Sequence, residues 1–376
     1  METKWTDALL DTMRQTDDPP ADAVIEAVVA AEGGEGLAKA LHSLVQHDEI
    51  VPGELPQAVR DYFAQTESLP AWADRAKIER GEAVFVEHGP VIGSILVSAS
   101  LPFCYACAKG VNVLFISTQL SKFPERRIIE TARFLFDVMT PGGLAEGSRG
   151  VRGAQKIRLL HATMRHVMLA SGQWDPEWGH PLNQEDKAIT LLTFSTVVLD
   201  SLDRLNIHLL PEDEAAYLHA WNVVGHLLGI RPELLPADAA DGRAGFAAIR
   251  RRQFGPSEAG KAVTQALVQF VQRIVPGTIF DGYVPTKMRY LIGSEVADML
   301  DVPKADWTRT LLPPIRLLMG LNEHFQHQSM ALNTLANLFG RSLLMGMEQA
   351  ERGGSRPMFH VPEALREQWN LPKLTP

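Results

Sequence analysis

His161 stands in the run Arg158-Leu-Leu-His161-Ala-Thr-Met-Arg165, and its neighbours are spaced in a way that suits one kind of chemistry. On a helix, Ile157, His161, Met164 and Met168 share one stripe, because residues three and four apart lie on the same face. An imidazole on an apolar stripe is suited to ligate the iron of a flat, apolar cofactor such as haem. Arg158 and Arg165 bracket it at minus three and plus four, where a guanidinium pairs with a carboxylate or a propionate. The same pattern also describes a hydrogen-bonded core histidine flanked by two surface arginines, and spacing alone does not choose between the two.

Other groups offer less. Cys104-Tyr-Ala-Cys107 is not followed by histidine, so it is no c-type haem attachment, and no second pair completes a zinc site. Its apolar flanks suit buried thiols packed as small hydrophobes. His219 and His226 lie seven apart, and His324 and His327 three apart, so either pair shares a helix face. Glu212, Asp213 and Glu323 are the natural third ligands if either pair holds a metal, and ordinary packing or surface roles compete with that reading. Asp200-Ser-Leu-Asp203 is too short for an aspartate-rich magnesium motif. The sequence contains no Walker-A loop, no G-x-S-x-G elbow and no H-E-x-x-H, and no dinucleotide-binding glycine run follows a strand.

The elements that must position these residues read as helices. Runs rich in Ala, Leu, Glu and Arg recur at helical spacing, and alternating β-branched runs are scarce, so the fold class is all-α. Pro124 opens a helix over 125–139. Asn183 with Asp186 makes a capping-box-like start to 184–205, and Pro211 opens 212–228, which Gly229 closes. Further helices are expected near 5–15, 21–31, 34–47, 54–65, 74–88, 91–120, 151–171, 256–274, 305–320 and 329–351. Loops are expected at 140–143, 174–181 and 232–242, where Pro and Gly cluster. The expected organisation is an N-terminal helical extension over 1–75, a main domain over 76–352 and an irregular tail over 353–376.

Composition narrows the class. The chain has 376 residues, 45% hydrophobic and 22% charged, which is the balance of a globular protein with a sizeable core. A net charge of -9 argues against nucleic acid as a partner. The densest basic run, Arg250-Arg251-Arg252, reads as a solvated helix end. The apolar stretch near 91–117 is interrupted by Pro102, Lys109 and glycines, so no transmembrane segment is expected. Without a basic and apolar leader at its start, and with two cysteines, the chain is expected in the cytoplasm.

Arg-x-x-His-x-x-x-Arg at 158–165 does not stand alone. Downstream follow Gly179-His-Pro-Leu-Asn183-Gln-Glu-Asp186, Phe194-Ser195, Tyr217-Leu-His219-Ala-Trp221-Asn-Val-Val-Gly225 and Leu228-Gly229. Upstream lies Arg127-Ile-Ile-Glu130-Thr131. This ordered set resembles the rubber-oxygenase, or latex-clearing-protein, catalytic-domain family over about residues 80–330, most sharply over 120–230.

The resemblance implies a globin-like helical core around haem b. His161 would be the proximal iron ligand, Arg158 and Arg165 would orient the ligand helix or the propionates, and Arg127, Glu130 and Thr131 would shape the distal side. Rubber-cleaving members carry a lysine at the position of Glu130, and their upstream carboxylate has no clear counterpart around Lys109–Val113. Glu130 is either a distal base or a solvent-facing residue. The implied function is a haem-dependent oxygenase using dioxygen on a small apolar, olefinic or isoprenoid substrate. A haem sensor or carrier, and a haem-free helical enzyme or scaffold, are the alternatives.

Overall fold

The computed structural model describes residues 3–46, 55–120, 124–275, 282–304, 337–348, 363–369 and 371. Among them there is no strand; an isolated bridge between Cys107 and Phe254 is the one extended pairing. The helices are α1 (Asp7–Arg14), α2 (Pro19–Gln46), α3 (Gln57–Gln65), α4 (Arg75–Ile95), α5 (Leu101–Ala106), α6 (Val111–Leu120) and α7 (Pro124–Met139). They continue with α8 (Arg149–Ser171), α9 (Gln184–Phe194), α10 (Thr196–Arg204), α11 (Pro211–Leu227), α12 (Ala239–Gln253), α13 (Glu258–Ile274) and α14 (Tyr283–Met299). Residues 337–348 are also helical.

Helix boundaries follow local chemistry. Thr6, Ser148 and Ser257 cap α1, α8 and α13 by accepting the Leu9, Val151 and Gly260 N–H groups. Asn183 and Asp186 form the expected reciprocal cap: Asn183 Oδ1 accepts from the Asp186 N–H at 3.0 Å, and Asn183 Nδ2 donates to Asp186 Oδ2 at 2.9 Å. Gly33, at φ 67, splits α2 into the two expected helices.

Several expected spans are shorter or interrupted. The 184–205 helix breaks at Ser195 (φ -108, ψ -83). The 91–120 stretch becomes the end of α4, a π-helical turn at Leu96–Ser100, α5, and then α6 beyond a break. The expected 232–242 loop ends early, because α12 starts at Ala239, and α14 lies where no helix was expected. Instead of a wholly irregular tail, Glu363–Gln368 form a helix followed by buried Trp369, whose Nε1 donates to the Val86 carbonyl at 2.7 Å. Arg250–Arg252 do fall in the last turn of α12.

The chain divides into two compact units. The first comprises Met1–Ala83, Phe136–Leu191 and Ala215–Ile249, so the N-terminal residues share a unit with α8. Its centre is α2 packed on α8 and α3, with Ile25, Val28, Val59, Tyr62, Leu159 and Ala162 in one apolar cluster. Buried Glu82 accepts the Gly142 and Leu144 N–H groups at 2.9 and 3.3 Å and fixes the loop that leads into α8.

The second unit comprises Val84–Leu135, Leu192–Glu214 and Arg250–Pro376. Here α5, α10 and α14 pack on the π-helical turn, and α13 packs on α5, α6 and α14. A π-turn inside a helix is a frequent marker of function. Among the described residues one helical run, Arg75–Ala106, is long and apolar enough to cross a membrane, and 78% of its apolar window is buried within the protein.

Candidate functional site

Helix α8 carries His161 near its middle, between the Ser148 cap and a left-handed Gly172. His161 is half-buried, its Nδ1 is fully shielded, and Ile157 and Met164 on the same stripe are half-buried while Met168 is buried. The stripe is therefore apolar, as its spacing predicted. A neighbouring face of α8 presents Gln155, Arg158, Leu159, Ala162 and Arg165, and most of it packs on the N-terminal helices. Gln155 Nε2 donates to the Phe63 carbonyl at 2.9 Å and to Thr66 Oγ1 at 2.7 Å, tying α8 to α3.

The two arginines beside His161 are engaged by the protein itself. Arg158 donates bidentately to Asp18, Nε to Oδ2 at 2.8 Å and Nη2 to Oδ1 at 2.7 Å. Lys187 Nζ, on α9, donates to the same Asp18 Oδ2 at 3.0 Å. All three side chains are at most 12% exposed. Burial alone would raise the Asp18 carboxyl pKa. Hydrogen bonds from Arg158 and the charges of Lys187 and Arg158 outweigh burial and hold it below the usual carboxylate range.

Arg165 is 3% exposed and forms an ion pair with Asp17 at 3.1 Å and another with Asp22. Its Nε, the atom nearest Asp17, donates to the Pro181 carbonyl and its Nη2 to the Leu182 carbonyl, each at 3.1 Å. Both guanidinium groups are therefore engaged by carboxylates and carbonyls of the protein itself, and they tie α8 to the segment around Pro19.

Arg127, Glu130 and Thr131 sit on α7 in the second unit. Arg127 and Thr131 are half-buried on one face, and Glu130 is exposed. The Arg127 guanidinium donates to Ser117 Oγ, and Thr131 Oγ1 donates to the Arg127 carbonyl at 2.8 Å. Burial lowers the Arg127 pKa, opposed by Tyr105 and Glu130. Of the alternatives for Glu130, the exposed position fits the solvent-facing one.

The remaining candidates resolve differently. His219 Nε2 accepts the Asp74 N–H at 2.9 Å, and the His219 and His226 rings both stand edge-on to Trp72, at 5.7 and 6.0 Å. Burial lowers both histidines' pKa values and so disfavours their charged forms. Glu212 and Asp213 open α11, in its acidic first turn. Cys107 is buried and Cys104 half-buried, 3.2 Å from Thr193 Oγ1. His324, His327 and Glu323 lie outside the described residues. Among the described residues no three or more His, Cys, Asp or Glu side chains are grouped to hold a bare metal ion. A single half-buried imidazole on an apolar stripe is, however, a donor set that fits haem.

Sequence reasoning missed Asp17, Asp18, Asp22 and Lys187. The acidic residues around Pro19 were visible, but partners some 140 residues away leave no local spacing to read.

Over residues 96–323, more than half of its length, the chain matches the family described as ER-bound oxygenase mpaB/B'/Rubber oxygenase, catalytic domain. It is 26% identical over 290 residues to the rubber oxygenase of Streptomyces sp. (strain K30), covering 76% of this chain and 71% of that protein. Its fold is similar to that of latex clearing protein in the closed state, with a TM-score of 0.71 and 24% identity, covering 87% of this chain and 90% of the other.

Proposed function

Because the chain belongs to the mpaB and rubber oxygenase catalytic-domain family, we propose that this oxygenase uses haem b and dioxygen to oxidise or cleave an apolar olefin, with His161 as the iron ligand. The observation that carries the reading is the half-buried His161 imidazole on the apolar stripe of a helix whose neighbouring face is fixed by ion pairs. Haem, when bound, supplies the iron at which dioxygen is activated.

The protein's own groups do the rest. His161 would hold the iron through its imidazole, and Ile157, Met164 and Met168 on the same stripe would keep water from that face. The family resemblance is what assigns Arg127 and Thr131 of α7 to the distal side; within their own unit the Thr131 hydroxyl braces the Arg127 backbone and the guanidinium donates to Ser117 Oγ. Exposed Glu130 takes no part as a base in this reading. The rubber oxygenase relative suggests an isoprenoid olefin, and a small one is proposed over polyisoprene because a polymer does not enter a reducing cellular compartment, which the two thiols suit. Cys104 and Cys107, present as thiols, suit a reducing compartment such as the cytoplasm.

The visible spectrum of protein purified from haem-replete cells tests the cofactor. A Soret band is expected, lost in His161→Ala and kept in His219→Ala; a wild-type protein without that band refutes the reading. Dioxygen consumption with short isoprenoids and with polyisoprene then separates an oxygenase from a carrier or sensor, and one substrate class from the other.

A further inference from the structure

Three aspartates from the segment around Pro19 grip the His161 helix on both sides of the histidine. Asp18 holds Arg158, nearly one turn before His161, and Asp17 with Asp22 holds Arg165, about one turn after it. At 100° per residue, both arginines leave α8 on the same side, about 40–60° from the His161 direction. The arrangement resists rotation as well as sliding, because two planar forks are fixed on different turns. The Asp22 carboxylate also accepts the Asp18 N–H at 3.0 Å, so the two grips share one rigid loop. Gln184 extends that fixation: its Nε2 donates to the Asp17 and Gly229 carbonyls, each at 3.0 Å.

We infer that Asp18 and Asp22 are positioning residues for His161, acting through Arg158 and Arg165 to set the roll of α8 and hence the direction of the imidazole. This rests on the reading of His161 as the iron ligand. An imidazole nitrogen lies roughly 6–7 Å from the helix axis, so a 10° roll moves it by about 1 Å. Productive ligand geometry tolerates only about 0.5 Å. Removal of supporting partners of a metal-ligating histidine lowers metal affinity by roughly tenfold to a hundredfold.

The test uses the full chain, titrated with haemin. Asp18→Asn leaves Arg158 and Lys187 buried without their carboxylate and risks the fold, so the variants are Asp22→Asn, which keeps Asp17 on Arg165, and Asp18→Glu, which keeps the charge on a longer arm. Asp241→Ala is the control. It removes the carboxylate that accepts from Trp5 Nε1 at 2.7 Å and pairs with Lys4 at 3.0 Å, in the same unit but away from α8. Asp22→Asn and Asp18→Glu are expected to keep wild-type far-UV dichroism, bind haemin about tenfold more weakly, shift the Soret maximum, and raise amide exchange across 149–171. Asp241→Ala is expected to lower the thermal midpoint with haemin affinity and Soret position unchanged.

Wild-type affinity and spectra in both aspartate variants would overturn the inference, as would equal changes in Asp241→Ala. If the wild type takes up no haemin, the ligand reading fails instead. Exchange then decides the grip by itself, and unchanged protection of 149–171 in Asp22→Asn sinks it.

Discussion

Replacing Lys287 with methionine should remove a pH dependence of stability that the wild type carries between pH 7 and 9. Lys287 is 4% exposed on α14, where its Nζ donates to Ser94 Oγ and lies 5.9 and 5.7 Å from the Tyr283 and Phe339 ring centres. Among the described residues no carboxylate pairs with it, and burial pushes the ammonium pKa down from 10.5 to about 7. The folded value lies below the unfolded one, so the unfolded chain binds the proton more tightly and stability rises with pH between the two values. Each tenfold loss of proton affinity is worth about 1.4 kcal/mol, so the full difference is about 5 kcal/mol, of which about 2 kcal/mol is recovered between pH 7 and 9. Methionine fills nearly the same volume and does not titrate. Urea unfolding of both proteins at pH 7, 8 and 9 measures the difference. The advantage of Lys287→Met over wild type is expected to shrink by about 2 kcal/mol from pH 7 to 9. A difference that stays constant across that range would show that Lys287 is not held neutral by burial, and the reasoning would fail.

Gly229→Ala should cost about 2–4 kcal/mol in chemical denaturation. Gly229 has φ 74, and a Cβ there would collide with the Asp18 carboxylate and the Arg158 guanidinium; a cost under about 0.5 kcal/mol would contradict that packing. Acidification below about pH 6.5 should weaken the first unit through His219 and His226. Burial lowers their folded pKa values, so the unfolded chain takes up protons first and the stability present above that range is lost as pH falls. His219→Gln keeps an acceptor for the Asp74 N–H without titrating, so its thermal midpoint should fall less between pH 7 and 5.5 than that of the wild type; parallel curves would refute the assignment.

The helical class and the α8 stripe were legible in the sequence because both depend on neighbours within two turns. Capping was legible for the same reason, as Asn183 with Asp186 and the Gly229 stop show. The break at Ser195 was not, since 184–205 keeps helical spacing throughout and only packing distinguishes two helices from one. Helix α14 escaped notice because its apolar positions are interrupted by Pro285 and by Gly293 at φ 81. The ordered family blocks pointed to His161, yet they could not say what Arg158 and Arg165 hold. That depended on aspartates about 140 residues away, brought near by the folding of α2 onto α8.

That dependence bears on what the Arg-x-x-His-x-x-x-Arg pattern encodes. Three cations (Arg158, Arg165 and Lys187) face three carboxylates (Asp17, Asp18 and Asp22), so the network is balanced in formal charge. Buried ion pairs return little net stability, because desolvation offsets their attraction, and apolar side chains of similar volume often serve as well. A leucine-packed junction between α2 and α8 would hold the helices together about as firmly. It would not fix their register to a fraction of an ångström, because apolar contacts are non-directional and a bidentate fork is not. Stability alone therefore does not account for six charged side chains in this place. Under the proposed reading of His161 as the iron ligand, a histidine that must point in one direction would account for them, and the arginines on either side of it would serve to aim it, since their guanidinium groups are already engaged by Asp17, Asp18 and Asp22.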